Sequence, residues 1–188
     1  MNIPRNYDST PAYDGSFEQM TPGGHICTIT GARVENNFGS EQLVLAMDVQ
    51  EGSKYDGYYA RLFKDRANGN PNAKWPCVFR QFTLTSDGDC SPYFKGLIKC
   101  VEESNLGYKW NWDENTLRNK MIGVIFREEE YEAQDGSIKT TIRPAFIRTV
   151  ARIREGVDVP EIKRLNLKPG TASANRGFTP VEDPEMPF

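Results

Sequence analysis

The chain has 188 residues, 38% of them hydrophobic, and a formal net charge of −3. A domain of this size buries a core without disulfide or metal staples. No run approaches the ~18 apolar residues of a membrane helix, and the polar opening MNIPRNYDSTPAYDG lacks the basic and apolar regions of a secretory signal. One cytoplasmic globular domain with tails, outside any membrane, is the expectation.

Residues 1–22 are rich in Pro, Tyr, Asp and Ser without a period and read as an N-terminal arm. From His25 the chain turns β-branched, and in Gln42–Val49 the residues Leu43, Leu45, Met47 and Val49 alternate on one face. That is the period of a half-buried strand, and these two runs predict a hairpin. A third strand is expected at Tyr58–Phe63. An insertion near 64–90 follows, a loop by composition until Trp75–Thr85, which fits helix and strand equally. Ser91-Pro92 has the form of an N-cap with Pro at the first helical position, and Phe94, Leu97, Ile98 and Val101 recur at helical spacing, so Pro92–Ser104 is an amphipathic helix. Two more strands, Met121–Arg127 and Ile138–Ile153, flank the hairpin signal Asp135-Gly136.

The resulting order predicts an all-β fold with one helix: an OB-fold over residues 23–164, a five-stranded barrel with the helix between strands 3 and 4. Four cysteines (Cys27, Cys77, Cys90, Cys100) without a CxxC, and a single histidine, His25, give no metal-site spacing. They also leave almost nothing for Ser-His or Cys-His catalysis. Phosphate-loop, GxSxG and HExxH patterns do not occur. No catalytic residue, metal or cofactor is expected; a metal nuclease of scattered carboxylates is the enzymatic alternative.

Charge is segregated. Residues 61–80 carry a net +4 and residues 139–168 a net +5, within a chain that is acidic overall. Aromatic side chains are interleaved with these cations, the pairing that grips single-stranded nucleic acid: cations track phosphates while flat rings accept bases. The expected base-stacking rings are Tyr59, Phe63, Trp75, Phe82, Trp110 and Trp112. Phosphates would meet Arg61, Lys64, Arg66, Lys74, Arg80, Arg127, Lys139, Arg143 and Arg148. The acidic run Glu128–Glu132 beside the hairpin would repel the same ligand.

Residues 165–181 have the composition of a flexible linker. They lead to the acidic tip Glu182, Asp183, Pro184, Glu185, Met186, Pro187, Phe188, a peptide whose ring suits an apolar pocket and whose carboxylates suit a basic rim. This ending resembles the acidic tip of bacterial single-stranded DNA-binding proteins, and a barrel, a polar linker and a tip in that order is their layout. The front half, with Met20–Ile29, Leu43–Glu51, Gly52 and Gly57, resembles a poorly characterised family of phages and mobile elements. The resemblance implies a non-enzymatic protein that coats single-stranded DNA in phage or mobile-element replication or recombination. Its tip would recruit replication or recombination proteins. The sequence leaves a homo-oligomer open, and the alternative non-enzyme is a protein–protein adaptor without nucleic-acid binding.

Overall fold

The computed structural model describes residues 3, 5, 7–9, 19–37, 39–50 and 52–165. Most of the arm, the linker beyond Leu165 and the tip Glu182–Phe188 lie outside the described residues. The elements are β1 (Gly23–Asn37), β2 (Ser40–Val49), α1 (Tyr58–Ala67), β3 (Val78–Phe82), α2 (Pro92–Ser104), β4 (Met121–Glu132), β5 (Ile138–Arg148) and α3 (Val150–Glu155). The strands form one five-stranded antiparallel sheet in the order β3-β2-β1-β4-β5. The fold is mostly β, with α2 between the third and fourth strands as expected. Among the described residues it departs from the expectation in two ways: three α-helices stand in place of one, and the sheet is not closed by hydrogen bonds, so β3 and β5 are its edges. No helix among the described residues is long and apolar enough to cross a membrane.

Alternation places the core. Leu43, Leu45 and Met47 of β2 are fully buried, facing Val34, Ala32 and Ile29 across β1. From β4 come Ile122, Val124 and Phe126, also fully buried. Helix α2 covers one end of this layer with Phe94, Leu97 and Val101, and its Ser91 hydroxyl accepts from the Phe94 N–H at 3.5 Å. The Ser-Pro start and the apolar stripe therefore yield the helix that they predict. Met20, at the end of the arm, is 1% exposed within the same core.

Residues Tyr58–Phe63, expected as a strand, form the start of α1. The cause is remote in sequence. Asp48, buried near the end of β2, accepts from the Tyr59 N–H at 2.8 Å through Oδ1 and from the Ala60 N–H at 3.0 Å through Oδ2. A carboxylate on the otherwise unsatisfied amides of a first turn satisfies them and meets the positive end of the helix dipole. Gly57 at φ 59° supplies the left-handed entry that a side chain disfavours. Tyr58, Tyr59 and Leu62 then face inward, and the apparent alternation of Tyr59, Arg61 and Phe63 is incidental. The third strand is instead Val78–Phe82, inside the undecided Trp75–Thr85 stretch.

The expected Ile138–Ile153 strand ends at Arg148, where the Thr149 hydroxyl accepts from the Arg152 N–H at 3.2 Å and starts α3. Helix α3 lies on the outer face of β1 and β4 over two glycines. A Cβ on Gly123 would stand 2.5 Å from Ile153 Cγ1 and 2.6 Å from the Thr149 carbonyl oxygen; one on Gly24 would stand 2.6 Å from Val157 Cγ2. The chain then returns along the free edge of β4. The Lys163 N–H donates to the Glu128 carbonyl and the Glu130 N–H to the Lys163 carbonyl, both at 2.9 Å.

Two outcomes test this frame. Asp48→Ala should cost about 2–3 kcal/mol in denaturant unfolding by stranding the first-turn amides, whereas Asp48→Asn, which keeps one acceptor oxygen, should cost less. His25 donates through Nε2–H to the Thr21 carbonyl at 2.9 Å and meets Tyr55 and Phe126 edge-on. Burial lowers its pKa from 6.5, partly offset by that hydrogen bond. The neutral ring therefore contributes stability that is complete above pH 6.5 and is lost as pH falls through the lowered folded value. The denaturant midpoint should drop between about pH 7 and pH 5, and His25→Gln should shrink that drop.

Candidate nucleic-acid interface

Residues opposite one another in antiparallel strands share a face. On the outer face of the sheet, Arg33 and Glu35 of β1 therefore stand beside Val44 and Gln42 of β2, and these beside Arg80 and Phe82 of β3. Val44 is 0% and Gln42 4% exposed on this outer face, each flanked by its partners on β1 and β3. Glu35 accepts from Arg33 Nε at 2.7 Å and faces Arg80 Nε at 3.6 Å. The Arg33 hydrogen bond holds the Glu35 carboxyl below the usual carboxylate range, and Arg80 adds to the effect.

Across the open seam from β3 stand Arg143 and Pro144 of β5. The seam is a cleft of about 580 Å³ lined by Arg33, Lys74, Trp75, Arg80, Glu129 and Arg143. An adjoining hollow of about 570 Å³ shares Lys74, Trp75 and Arg143 and adds Arg66, Tyr131 and Thr141. Trp75 is fixed in the wall by its Nε1–H, which donates to the Met47 carbonyl at 2.9 Å, and by the Phe63 ring at 5.4 Å. Arg66, Lys74 and Arg143 make no ion pair among the described residues. Five cations thus face one continuous groove with the accessible rings of Trp75 and Tyr131, over a floor that includes the buried Tyr58 and Tyr59.

The acids of the groove are already engaged. Glu129 accepts from Arg127 Nη2 at 2.9 Å and lies 3.8 Å from Lys163 Nζ. Glu130 lies 3.9 Å from Arg164 and accepts from the Leu165 N–H at 3.0 Å. Asp135, at the hairpin tip, accepts from Ser137 and lies 3.6 Å from Lys139. The run Glu128–Glu132, expected to repel an anion, has two of its carboxylates occupied by arginines and a returning basic segment.

The structure gathers Arg66, Lys74, Trp75, Arg80 and Arg143 at the groove. Phe82, 47% exposed, continues the Val78–Arg80 row beyond it. Phe63 supports Trp75 from behind. Tyr59 reaches only the floor of the second hollow and offers no open ring face: it is 4% exposed, stacked on Phe126 at 6.1 Å, and burial raises its phenol pKa. Arg61 is turned away onto the Asp56 carbonyl, and Lys64 is exposed on α1 outside the groove. Arg127 serves Glu129, and Lys139 sits at the hairpin tip. Arg148 lies farther along β5. Trp110 and Trp112 stand elsewhere, beside α2: Trp110 packs on Phe94 at 5.6 Å, while Trp112 is 77% exposed with φ 68°. They line a separate hollow of about 630 Å³ with Ile98, Lys95 and Lys109.

Sequence reading missed Arg33, Tyr131, Lys163 and Arg164. Arg33 was within reach, since extending the β1–β2 hairpin register places it opposite Val44. Lys163 and Arg164 belong to the basic stretch 139–168, but their pairing with Glu129 and Glu130 has no local signal, because it comes from an edge pairing 33 or more residues away in the chain. Among the described residues no three His, Cys, Asp or Glu side chains converge on a common point that could hold a metal ion. Neither a family model nor a curated protein matches the chain.

The Glu35 pairing predicts a gain of function for any polyanion. On a heparin column Glu35→Gln should elute at higher salt than the wild type, because Arg33 and Arg80 are released, and Lys74→Glu should elute at lower salt. Equal elution of all three would place the anion surface elsewhere.

Proposed function

We propose that this chain is a non-catalytic single-stranded DNA-binding protein that takes the strand along the groove between β3 and β5. The carrying observation is the convergence of Arg66, Lys74, Arg80 and Arg143 with Trp75 and Tyr131 in one groove whose carboxylates are paired. Cations spaced along a channel neutralise phosphates, and each stacked base adds about 1–3 kcal/mol. A groove that sets cations beside flat rings suits a single strand, whose unpaired bases are free to stack on them. The architecture supports the finer reading of an OB-like barrel: a five-stranded antiparallel row whose two edges face each other is a partly open barrel, with its ligand face on the outer surface of the strands. In this reading Glu182–Phe188 recruits replication or recombination enzymes, and the work of the protein is that of a phage or mobile element.

One observation favours a second reading, a protein-docking module without nucleic-acid binding. Trp112 is held exposed at a left-handed backbone angle that a bulky residue rarely adopts. Titration with oligo-dT separates the two. Of the three tryptophans, Trp75 alone lines the groove, so the strand should quench its emission and Trp75→Phe should abolish the quench while Trp112→Phe leaves it. The log–log salt slope should be about −0.7 per phosphate neutralised, and Lys74→Ala with Arg143→Ala should flatten it by about that amount per contact. A flat salt profile, or no binding, removes the proposal. Competition with oligo-rU then reports DNA against RNA preference.

A further inference from the structure

The strand β5 carries an extra residue opposite β4: Pro144 pairs with Phe126 and Phe146 with Ile125, leaving Ala145 bulged between them. A bulge changes the parity of everything beyond it. Without it, Phe146 would face the core and Ile147 the solvent. With it, Ile147 is 9% exposed in the core and Phe146 is 43% exposed outside. Arg143, Phe146 and Arg148 are thereby placed in sequence on the outer face, opposite Arg127, Ile125 and Gly123.

Phe146 does not stand there as a stray apolar residue. The Arg148 and Arg127 guanidiniums lie 5.7 and 5.9 Å from its ring centre, both at the outer limit of a cation–π contact. Arg148 donates to the Ile147 carbonyl at 2.7 Å and has no carboxylate partner among the described residues. The nearby acids are taken: Glu129 by Arg127, and Glu103 of α2 by Lys99 at 3.6 Å. The row begins at Arg143, which already lines the groove. Successive outward positions on a strand are about 6–7 Å apart, so the surface offers cation, flat ring, cation in the order that a single strand offers phosphate, base, phosphate.

We propose that Phe146, between Arg143 and Arg148, is a second stacking station that carries a single strand out of the groove along the outside of β5. The inference rests on the groove reading and adds the direction of the strand and a longer footprint. A strand that fills only the groove does not touch Phe146, whereas a longer one does.

The test uses the full chain with two deoxythymidine oligomers, one of about 6 nucleotides and one of about 20, bracketing the ~4–16 that one OB fold covers. Phe146→Leu keeps an apolar side chain of similar size and removes the ring face; Arg148→Gln removes the charge. Each should weaken the longer oligomer about five-fold or more and leave the shorter one unchanged. Lys74→Ala should weaken both. If Phe146→Leu binds the long oligomer as the wild type does while Lys74→Ala weakens both, the station is absent and the groove stands. Equal weakening of both lengths by Phe146→Leu would make Phe146 part of the groove and overturn the extension. Failure of the wild type to bind either oligomer overturns groove and station together. Far-ultraviolet circular dichroism and the thermal midpoint of each variant confirm that the sheet is retained, and a variant that loses either is replaced by Phe146→Met.

Discussion

The Asp48 carboxylate is the joint on which the rest of the molecule turns. It leaves the sheet from β2, is 8% exposed, and spends its oxygens on the Val49, Tyr59 and Ala60 amides. A buried carboxylate without such partners would be costly; with them it fixes one end of α1 to one point of the sheet. Everything on the α1 side of the groove inherits that placement. Tyr58 and Tyr59 enter the core, Phe63 meets Trp75, and Arg66 reaches the hollow beside Lys74. The α1 wall of the groove thus rests on two hydrogen bonds made by one side chain.

The opposite wall is built on different physics. There β4 outruns β1, so residues beyond Arg127 have an edge without a strand partner. The segment around Lys163 fills that edge with two backbone hydrogen bonds and brings Lys163 and Arg164 to the carboxylates of Glu129 and Glu130. Exposed ion pairs of this kind add little to stability. Their effect is on the local field: a stretch rich in glutamate borders a basic groove without cancelling it. An acidic protein can in this way present a basic surface.

What the sequence discloses follows how local the cause is. Helix α2 is legible to the residue because its cap, its proline and its apolar stripe all lie within Ser91–Val101. The β2 face is legible because Leu43, Leu45, Met47 and Val49 alternate without interruption. Helix α1 is not, since the group that starts it lies nine residues before Gly57 on another element. Phe146 is hidden by a single bulged residue, and no alternation count can anticipate a change of parity. Trp110 and Trp112 would share a face if extended; with the left-handed backbone at Trp112 their rings still meet at 4.8 Å, but beside α2 and away from the groove. Of the groove, Arg66, Lys74, Arg80 and Arg143 are readable from charge segregation, while Tyr59 goes to the core because Tyr58–Phe63 is helical.

Arg80 shares its guanidinium with Glu35, which is also held by Arg33. At Arg80 an incoming anion would therefore exchange with a carboxylate already in place, whereas Arg66, Lys74 and Arg143 have no ion-pair partner among the described residues. Exchange of this sort would shorten the stay of an anion at Arg80, because the displaced carboxylate stays tethered beside it. In the proposed groove Glu35 would thus compete with the ligand for Arg33 and Arg80, and a strand held there would be easily released.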